Sequence, residues 1–196
     1  MTYASSTTAL LLAAGRGTRF DPNGLQNKLL APLPDGTPVA CAAARALLVV
    51  LPHVTAVVRP GAEALAHALN DAGCDVVFAT DAERGMGASL AAGIRATENA
   101  EGWIVALADM PWISSATIES IARHVDGGAS VVAPIYRGRR GHPVGFGSMH
   151  RDALLALDGD VGARGILESA DVTSFDVDDA GVLADIDTFA DLHRQR

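Results

Sequence analysis

Lysine is almost missing from this chain of 196 residues: Lys28 is one of fifteen basic residues, and every other one is arginine. Positive charge is scarce as well, because 23 Asp and Glu leave a net charge of −8. A chain of that balance lacks the basic face that nucleic-acid binding calls for. Cysteine is limited to Cys41 and Cys74, far apart in sequence and without a neighbouring Cys/His cluster. That argues against a disulfide scaffold or a zinc site and makes a reducing compartment the default, with both thiols as small core residues. Long apolar runs are absent too. Ala9 to Ala14 is too short to span a membrane, and Met1 to Thr8 has no basic residue of the kind that opens a secretory signal. The expected location is the cytoplasm, with neither nucleic acid nor membrane as partner.

What is present reads as a folded domain. Hydrophobic residues make up 49% and charged residues 19% of the chain, outside the range of disordered sequences. The length predicts one domain over residues 1–196. Strand-like runs fall at 8–13, 55–58, 75–78, 103–107 and 130–133, with two more at 142–146 and 172–177. Between them the patterns predict helices at about 39–51, 61–72, 88–97, 115–125, 148–157, 162–170 and 187–194. The first five strands are near-continuous apolar runs, as strands buried on both faces by helices are. The expected fold is therefore α/β: a mostly parallel central sheet with helices on both faces, Rossmann-like, with some antiparallel pairing in the C-terminal third. His142-Pro143 marks the sixth run as an edge strand.

In such sheets ligands bind beyond the carboxyl ends of the strands. The segments at that rim are Ala14-Gly15-Arg16-Gly17-Thr18-Arg19, Thr80-Asp81 with Arg84-Gly85-Met86-Gly87-Ala88-Ser89, Asp109-Met110-Pro111, and Arg137 to His142. Gly15 and Gly17 allow a tight turn whose N–H groups approach a phosphate, and Arg16, Arg19 and Lys28 add positive charge within a short stretch. A dinucleotide-binding loop would want a third glycine where Arg19 stands and a helix opening at once. Here Asp21-Pro22-Asn23-Gly24 continues the loop, and the second strand ends in Arg59-Pro60 rather than an acidic residue. Arg59 would still suit a 2′-phosphate, so that rival is weakened, not removed. A Walker loop is excluded because Lys28 stands too far from the glycines.

Leu12-Ala13-Ala14-Gly15-Arg16-Gly17-Thr18-Arg19, followed by Asn27-Lys28-Leu29-Leu30, resembles the opening of the MobA-like NTP transferases. The likeness continues in order through Gly85-Met-Gly-Ala-Ser-Leu90, Asp109-Met-Pro111, Arg140-Gly-His-Pro143, Gly159-Asp-Val-Gly-Ala-Arg164 and Asp185-Ile-Asp-Thr188. Within the group, Ala13-Ala14 and Arg140-Gly-His-Pro143 are most similar to the molybdenum cofactor cytidylyltransferases. Two departures stand out. The spacer from Phe20 to Asn27 is long, and Asp187-Thr-Phe-Ala-Asp-Leu192 replaces the Pro-Glu-Asp-Leu ending frequent in the family.

The resemblance implies transfer of CMP from CTP to the phosphate of molybdopterin with release of pyrophosphate, in the presence of Mg²⁺. A phosphate monoester has a second pKa of about 6, so it is an ionised nucleophile without a general base, and catalysis rests on alignment and charge neutralisation. The resemblance gives catalytic roles to Lys28, Arg19 and Asp109, and nucleotide contacts to Leu12, Ala13, Ala14, Gly15, Arg16, Gly17, Asp81, Gly85, Met86, Gly87 and Ser89. The Gly85-Met86-Gly87 loop reads equally as a plain helix start with Met86 in the core. Asp109 would hold Mg²⁺, its competing role as a helix cap being better filled by Ser114 or Ser115. The second ligand is open among Asp160, Asp185 and Asp187. The Asp185-Ile-Asp187 pair stands nearer the expected place, with Asp187 taken as the ligand, although such acidic residues also suit a helix start. Arg140, His142 and Arg164 fall on the acceptor side, where arginine's fork suits phosphate oxygens. A molybdoenzyme or its maturation factor is the implied protein partner. Three alternatives stay open: guanylyl or other nucleotidyl transfer to another small phosphate, a cofactor-delivery protein with little catalysis, and a nucleotide-dependent oxidoreductase.

Overall fold

The computed structural model describes residues 5–15, 17, 19–21 and 26–193. Among these described residues eight strands form one sheet: β1 (Thr7–Leu12), β2 (Val54–Val58), β3 (Asp75–Phe78), β4 (Gly102–Leu107), β5 (Val131–Tyr136), β6 (Arg139–Arg140), β7 (Val144–Gly147) and β8 (Val172–Asp176). Six α-helices accompany them: α1 (Val39–Leu48), α2 (Glu63–Asp71), α3 (Met86–Ala96), α4 (Ser115–Asp126), α5 (Arg151–Leu155) and α6 (Arg164–Ser169). The strand order starts β3-β2-β1-β4, all parallel. β7 then enters antiparallel to both β4 and β5, so β5 runs in the direction of the first four, and β8 lies parallel beside β5.

Alternation along β1 explains the two layers. Ala9 and Leu11 face one core, shared with residues of α1, α2 and α4, while Leu10 faces another with Leu90 and Ile94 of α3 and Leu154 of α5. Both faces being covered, β1, β2 and β4 carry little polar residue, as their apolar runs predict. At α4, Ser114 Oγ accepts from Thr117 N at 3.2 Å, which fixes the helix start and removes Asp109 from any capping duty.

Three expectations need correction. The strand following His142-Pro143 is interior, between β4 and β5, not an edge. Pro143 stands just before the first paired residue, so no ladder bond needs its missing N–H. The expected helix at 187–194 is a 3₁₀ turn, Phe189–His193, and the one at 148–157 is a 3₁₀ turn, Ser148–His150, running into α5. Both stretches are short for α-helix, and tight turns are the usual form of such pieces.

β6 and β7 are one return strand broken in the middle. Arg137 (φ 49°) and Gly138 (φ 74°) make the tight turn from β5. Ile135 then pairs with Arg140, Gly141 N donates to Pro134 O, and pairing resumes with Val132 opposite Gly145. Within the break His142 N donates to Val182 O at 2.9 Å, which ties the return strand to the C-terminal segment.

Candidate active site

A cavity of about 610 Å³ opens beyond the carboxyl ends of β1 to β4, within the usual size for a small-ligand site. Its wall holds Leu12, Ala14, Gly15, Gly17, Arg19 and Lys28 at one end, and Arg59, Pro60, Thr80, Ala82 and Glu83 from the ends of β2 and β3. Gly85, Met86 and Ser89 of α3, with Leu107, Asp109, Asp160 and Asp187, complete it. The rim expected from topology is thus the rim observed for the first four strands.

Lys28 sits on a 3₁₀ turn, Lys28–Leu30, started by Asn27, whose Oδ1 accepts from Leu29 N at 3.0 Å. Its side chain is only 11% exposed. The ammonium has three donors, and each has an acceptor: Asp109 Oδ2 at 2.7 Å, Ile186 O at 2.9 Å and Asp187 Oδ1 at 3.4 Å. Arg19 binds the other oxygen of Asp187 at 2.6 Å. Arg19, Asp187, Lys28 and Asp109 therefore form an alternating chain of charges with no net charge. Gly17, at φ +61°, lies against the stem of Lys28, where a Cβ would approach Lys28 Cγ to 3.3 Å. Among the described residues beyond its chain neighbours, Gly15 has no atom within 4 Å of such a position, and it lines the cavity.

Asp187 is delivered by a segment that sequence reasoning undervalued. Asp191 Oδ2 accepts from Asp187 N at 3.1 Å, Thr188 N at 2.7 Å and Thr188 Oγ1 at 2.8 Å, and Asp191 is buried. Asp187 is thereby free of the capping duty that competed with its site role. Phe189 stacks on Phe20 with ring centroids 4.1 Å apart, which ties the same segment to the glycine loop. The Phe189 departure from the family's ending is thus an aromatic contact. Ile186 N donates to Asp109 O at 2.9 Å, joining the two acidic residues through the backbone.

The Gly85-Met86-Gly87 loop follows another logic. A Cβ on Gly85 (φ +125°) would collide with the Gly159 backbone and the Asp160 carboxylate, and one on Gly87 would stand 2.8 Å from Asp158 O. These glycines admit the 158–160 segment, which an Arg84–Asp158 ion pair also holds. Met86 is 50% exposed on the cavity wall, so the core role considered for it does not hold. Ser89 is buried and its hydroxyl donates to Gly85 O at 3.3 Å.

Other residues singled out from sequence lie elsewhere. Ala13 is buried beneath the loop, and Asp81 is exposed beside the cavity wall. Arg16 and Thr18 fall outside the described residues. Arg140 is exposed on β6, and Arg164 pairs with Glu168 on α6; neither lines the cavity. His142 is not in the wall either, but close enough to Asp109 and Asp185 to feel both charges. Burial pushes its imidazole below the ordinary histidine range, with the two carboxylates and a backbone bond to Val105 opposing. Arg59 and Glu83 were not among the expected contacts. The signal was available, since both follow strand ends at the rim. Arg59 is partly buried, with no ion pair among the described residues.

The donor set fits a hard divalent cation. Asp109 Oδ1 is buried and has no hydrogen-bond partner among the described residues, and Asp187 stands across the same ammonium. No group of three or more His, Cys, Asp or Glu there would hold a metal by itself. Mg²⁺ does not need one, being held by one or two carboxylates with water and substrate phosphates.

A glycine loop, a lysine and two carboxylates thus line a cavity at the rim of a Rossmann-like sheet, where open α/β folds bind their ligands. The model of the MobA-like NTP transferase domain matches residues 9–174, and the chain belongs to that family; it is a nucleotidyltransferase of the MobA-like type. Nicotine blue oxidoreductase of Paenarthrobacter nicotinovorans is 32% identical over 95% of both chains. Rv0371c of Mycobacterium tuberculosis H37Rv superposes with a TM-score of 0.80 at 29% identity, over 96% of each chain. A structure of that protein in complex with manganese matches at 0.77 and 27%, covering 94% of this chain and 95% of the other. A nucleotidyl transferase from Methanothermobacter gives 0.79 and 27%, over 94% and 93%. Among the described residues no helix is long and apolar enough to cross a membrane.

Proposed function

We propose that the chain, as one nucleotidyltransferase domain, moves CMP from CTP to the phosphate of molybdopterin and releases pyrophosphate. The observation that carries this is the Arg19–Asp187–Lys28–Asp109 cluster beneath the Gly15/Gly17 loop. It supplies cations for a triphosphate and carboxylates for a metal within one wall. An acceptor phosphate oxygen attacks the α-phosphorus, the bond to the β-phosphate's bridging oxygen breaks, and pyrophosphate leaves with the electron pair. Lys28, Arg19 and the backbone of Gly15 and Gly17 bind the β- and γ-phosphates and steady the leaving group. Asp109 and Asp187 would hold Mg²⁺, which when bound would neutralise charge at the α-phosphate. Leu12, Ala14, Gly85, Met86 and Ser89 line the nucleoside's space, with Arg59 and Glu83 at its far end. Arg140, His142 and Arg164 are assigned to the acceptor side by the family motifs they stand in. A molybdoenzyme or its maturation factor would then receive the product, and the cytoplasm would be the setting.

A melting-temperature screen with CTP, GTP, ATP and UTP, each with Mg²⁺, tests nucleotide choice. CTP is expected to give the largest rise, and reduced molybdopterin to release pyrophosphate from CTP. A larger rise with GTP and turnover only with GTP would replace cytidylyl by guanylyl transfer.

One observation favours a second reading. A relative matching over 95% of both chains is named an oxidoreductase, and Arg59 stands after β2, where dinucleotide folds place a 2′-phosphate partner. Under this reading a phosphorylated nicotinamide dinucleotide raises the melting temperature and CTP with Mg²⁺ does not.

A further inference from the structure

All three N–H donors of Lys28 are spent on protein oxygens, and two of those oxygens belong to the carboxylates assigned to the metal. The ammonium therefore stands where it satisfies the acidic pair and cannot at the same time bind a phosphate. We propose that Lys28 is the resting counter-ion of the metal site: its ammonium and a divalent cation compete for Asp109 and Asp187, and the metal takes its place only when a triphosphate draws Lys28 away. This rests on the nucleotidyltransferase reading and adds an order of loading to it.

The charges support the exchange. With Lys28 and Arg19 in place the four-residue cluster is neutral, so a dication reaching Asp109 and Asp187 must displace the ammonium of a lysine whose side chain is 11% exposed. A triphosphate arriving alone finds Lys28 engaged and two carboxylates repelling it. Arriving together, each supplies what the other removes: the phosphates receive Lys28 and Arg19, and the cation receives Asp109 and Asp187. Asp109 Oδ1, buried and without a hydrogen-bond partner among the described residues, is an acceptor that the resting arrangement of those residues leaves unused. A buried carboxylate oxygen is costly to leave unpaired, which favours the exchanged state once a cation is present.

The single lysine makes the test direct, since ¹⁵Nζ-labelled lysine gives one ammonium resonance in this chain. Millimolar Mg²⁺ alone is expected to leave that resonance in place, and Mg²⁺ with CTP to move it. A shift with Mg²⁺ alone over the same range overturns the proposal. Calorimetry with Mn²⁺ and no nucleotide gives a second reading. Lys28→Met is expected to bind Mn²⁺ about tenfold or more tighter than wild type, and Lys28→Arg not to; equal affinity of Lys28→Met and wild type overturns the proposal. If Lys28→Met gains Mn²⁺ affinity while no nucleotide with Mg²⁺ moves the wild-type resonance, the competition between Lys28 and the cation stands, while the triphosphate's part in the exchange and the nucleotidyltransferase reading both fail. If CTP and Mg²⁺ support turnover while Lys28→Met gains nothing, the reading stands and the exchange fails.

Discussion

Two Gly-x-Gly segments stand on the cavity wall and look alike in sequence, yet they are glycine for opposite reasons. At Gly15 no described residue beyond its chain neighbours lies within 4 Å of a missing Cβ, and at Gly17 the neighbour is the flexible stem of Lys28. At Gly85 and Gly87 the neighbours are backbone atoms of 158–159, which cannot swing aside. One loop is thin where the cavity opens, the other where the protein's own backbone packs in. Glycine in a loop thus shows that something comes close, without showing what.

Substitutions break or sharpen that contrast. The largest effect is expected at Lys28: Lys28→Met lowers the rate of pyrophosphate release about 10²–10³-fold, the scale of losing one preorganised electrostatic group. Lys28→Arg also lowers turnover sharply, because a planar guanidinium does not replace a compact ammonium held by three acceptors; wild-type turnover in that variant would make the lysine incidental. Next comes Gly87→Ala, where a Cβ 2.8 Å from Asp158 O costs about 1–3 kcal/mol as overpacking. At about 2–4 °C per kcal/mol for a domain of this size, thermal unfolding reads it as a loss of several degrees. Gly15→Ala is the complement: stability stays within about 0.5 kcal/mol while nucleotide affinity, measured by calorimetry, falls. If Gly15→Ala destabilises and Gly87→Ala does not, the distinction between the loops is wrong.

Smaller effects should come from sites that act through others. Asp191→Ala is expected to reduce turnover by loosening Asp187, and Asp191→Asn to restore part of it, since an amide oxygen still accepts from the 187 and 188 N–H groups. Equal losses in both variants would point to the carboxylate's charge instead. Smallest is the thiol chemistry. Burial pushes Cys74 up to about 11 and raises Cys41 as well. Both stay protonated at pH 8, so alkylation is expected only after denaturation. By linkage, stability declines as pH rises past 9.0, where the unfolded thiols ionise and the folded ones do not.

Much of this was legible in the sequence. Continuous apolar runs gave β1, β2 and β4 and the sense of the sheet, and ordered motifs placed Lys28, Asp109 and the glycine loop at one rim. The break between β6 and β7 was not legible, because Pro143 reads as an edge signal unless one knows that pairing begins after it. Nor was the role of Asp191, whose side chain binds backbone N–H groups and leaves no periodic trace. Arg59 was seen but left unassigned, since its meaning depends on which strand ends share a cavity wall.

The partners of Lys28 lie 81 and 158–159 positions further along the chain, and the last of them ride on a segment anchored by Asp191 and the Phe20–Phe189 stack. The sheet's parallel half, by contrast, is closed by β4 at residue 107. Opening of the C-terminal segment would dismantle the charge cluster while that half of the sheet stayed intact, so hydrogen exchange at 186–193 should set the ceiling on ligand affinity. Site competence and global stability are therefore separate quantities in this protein, and a chain can lose the first while keeping nearly all of the second.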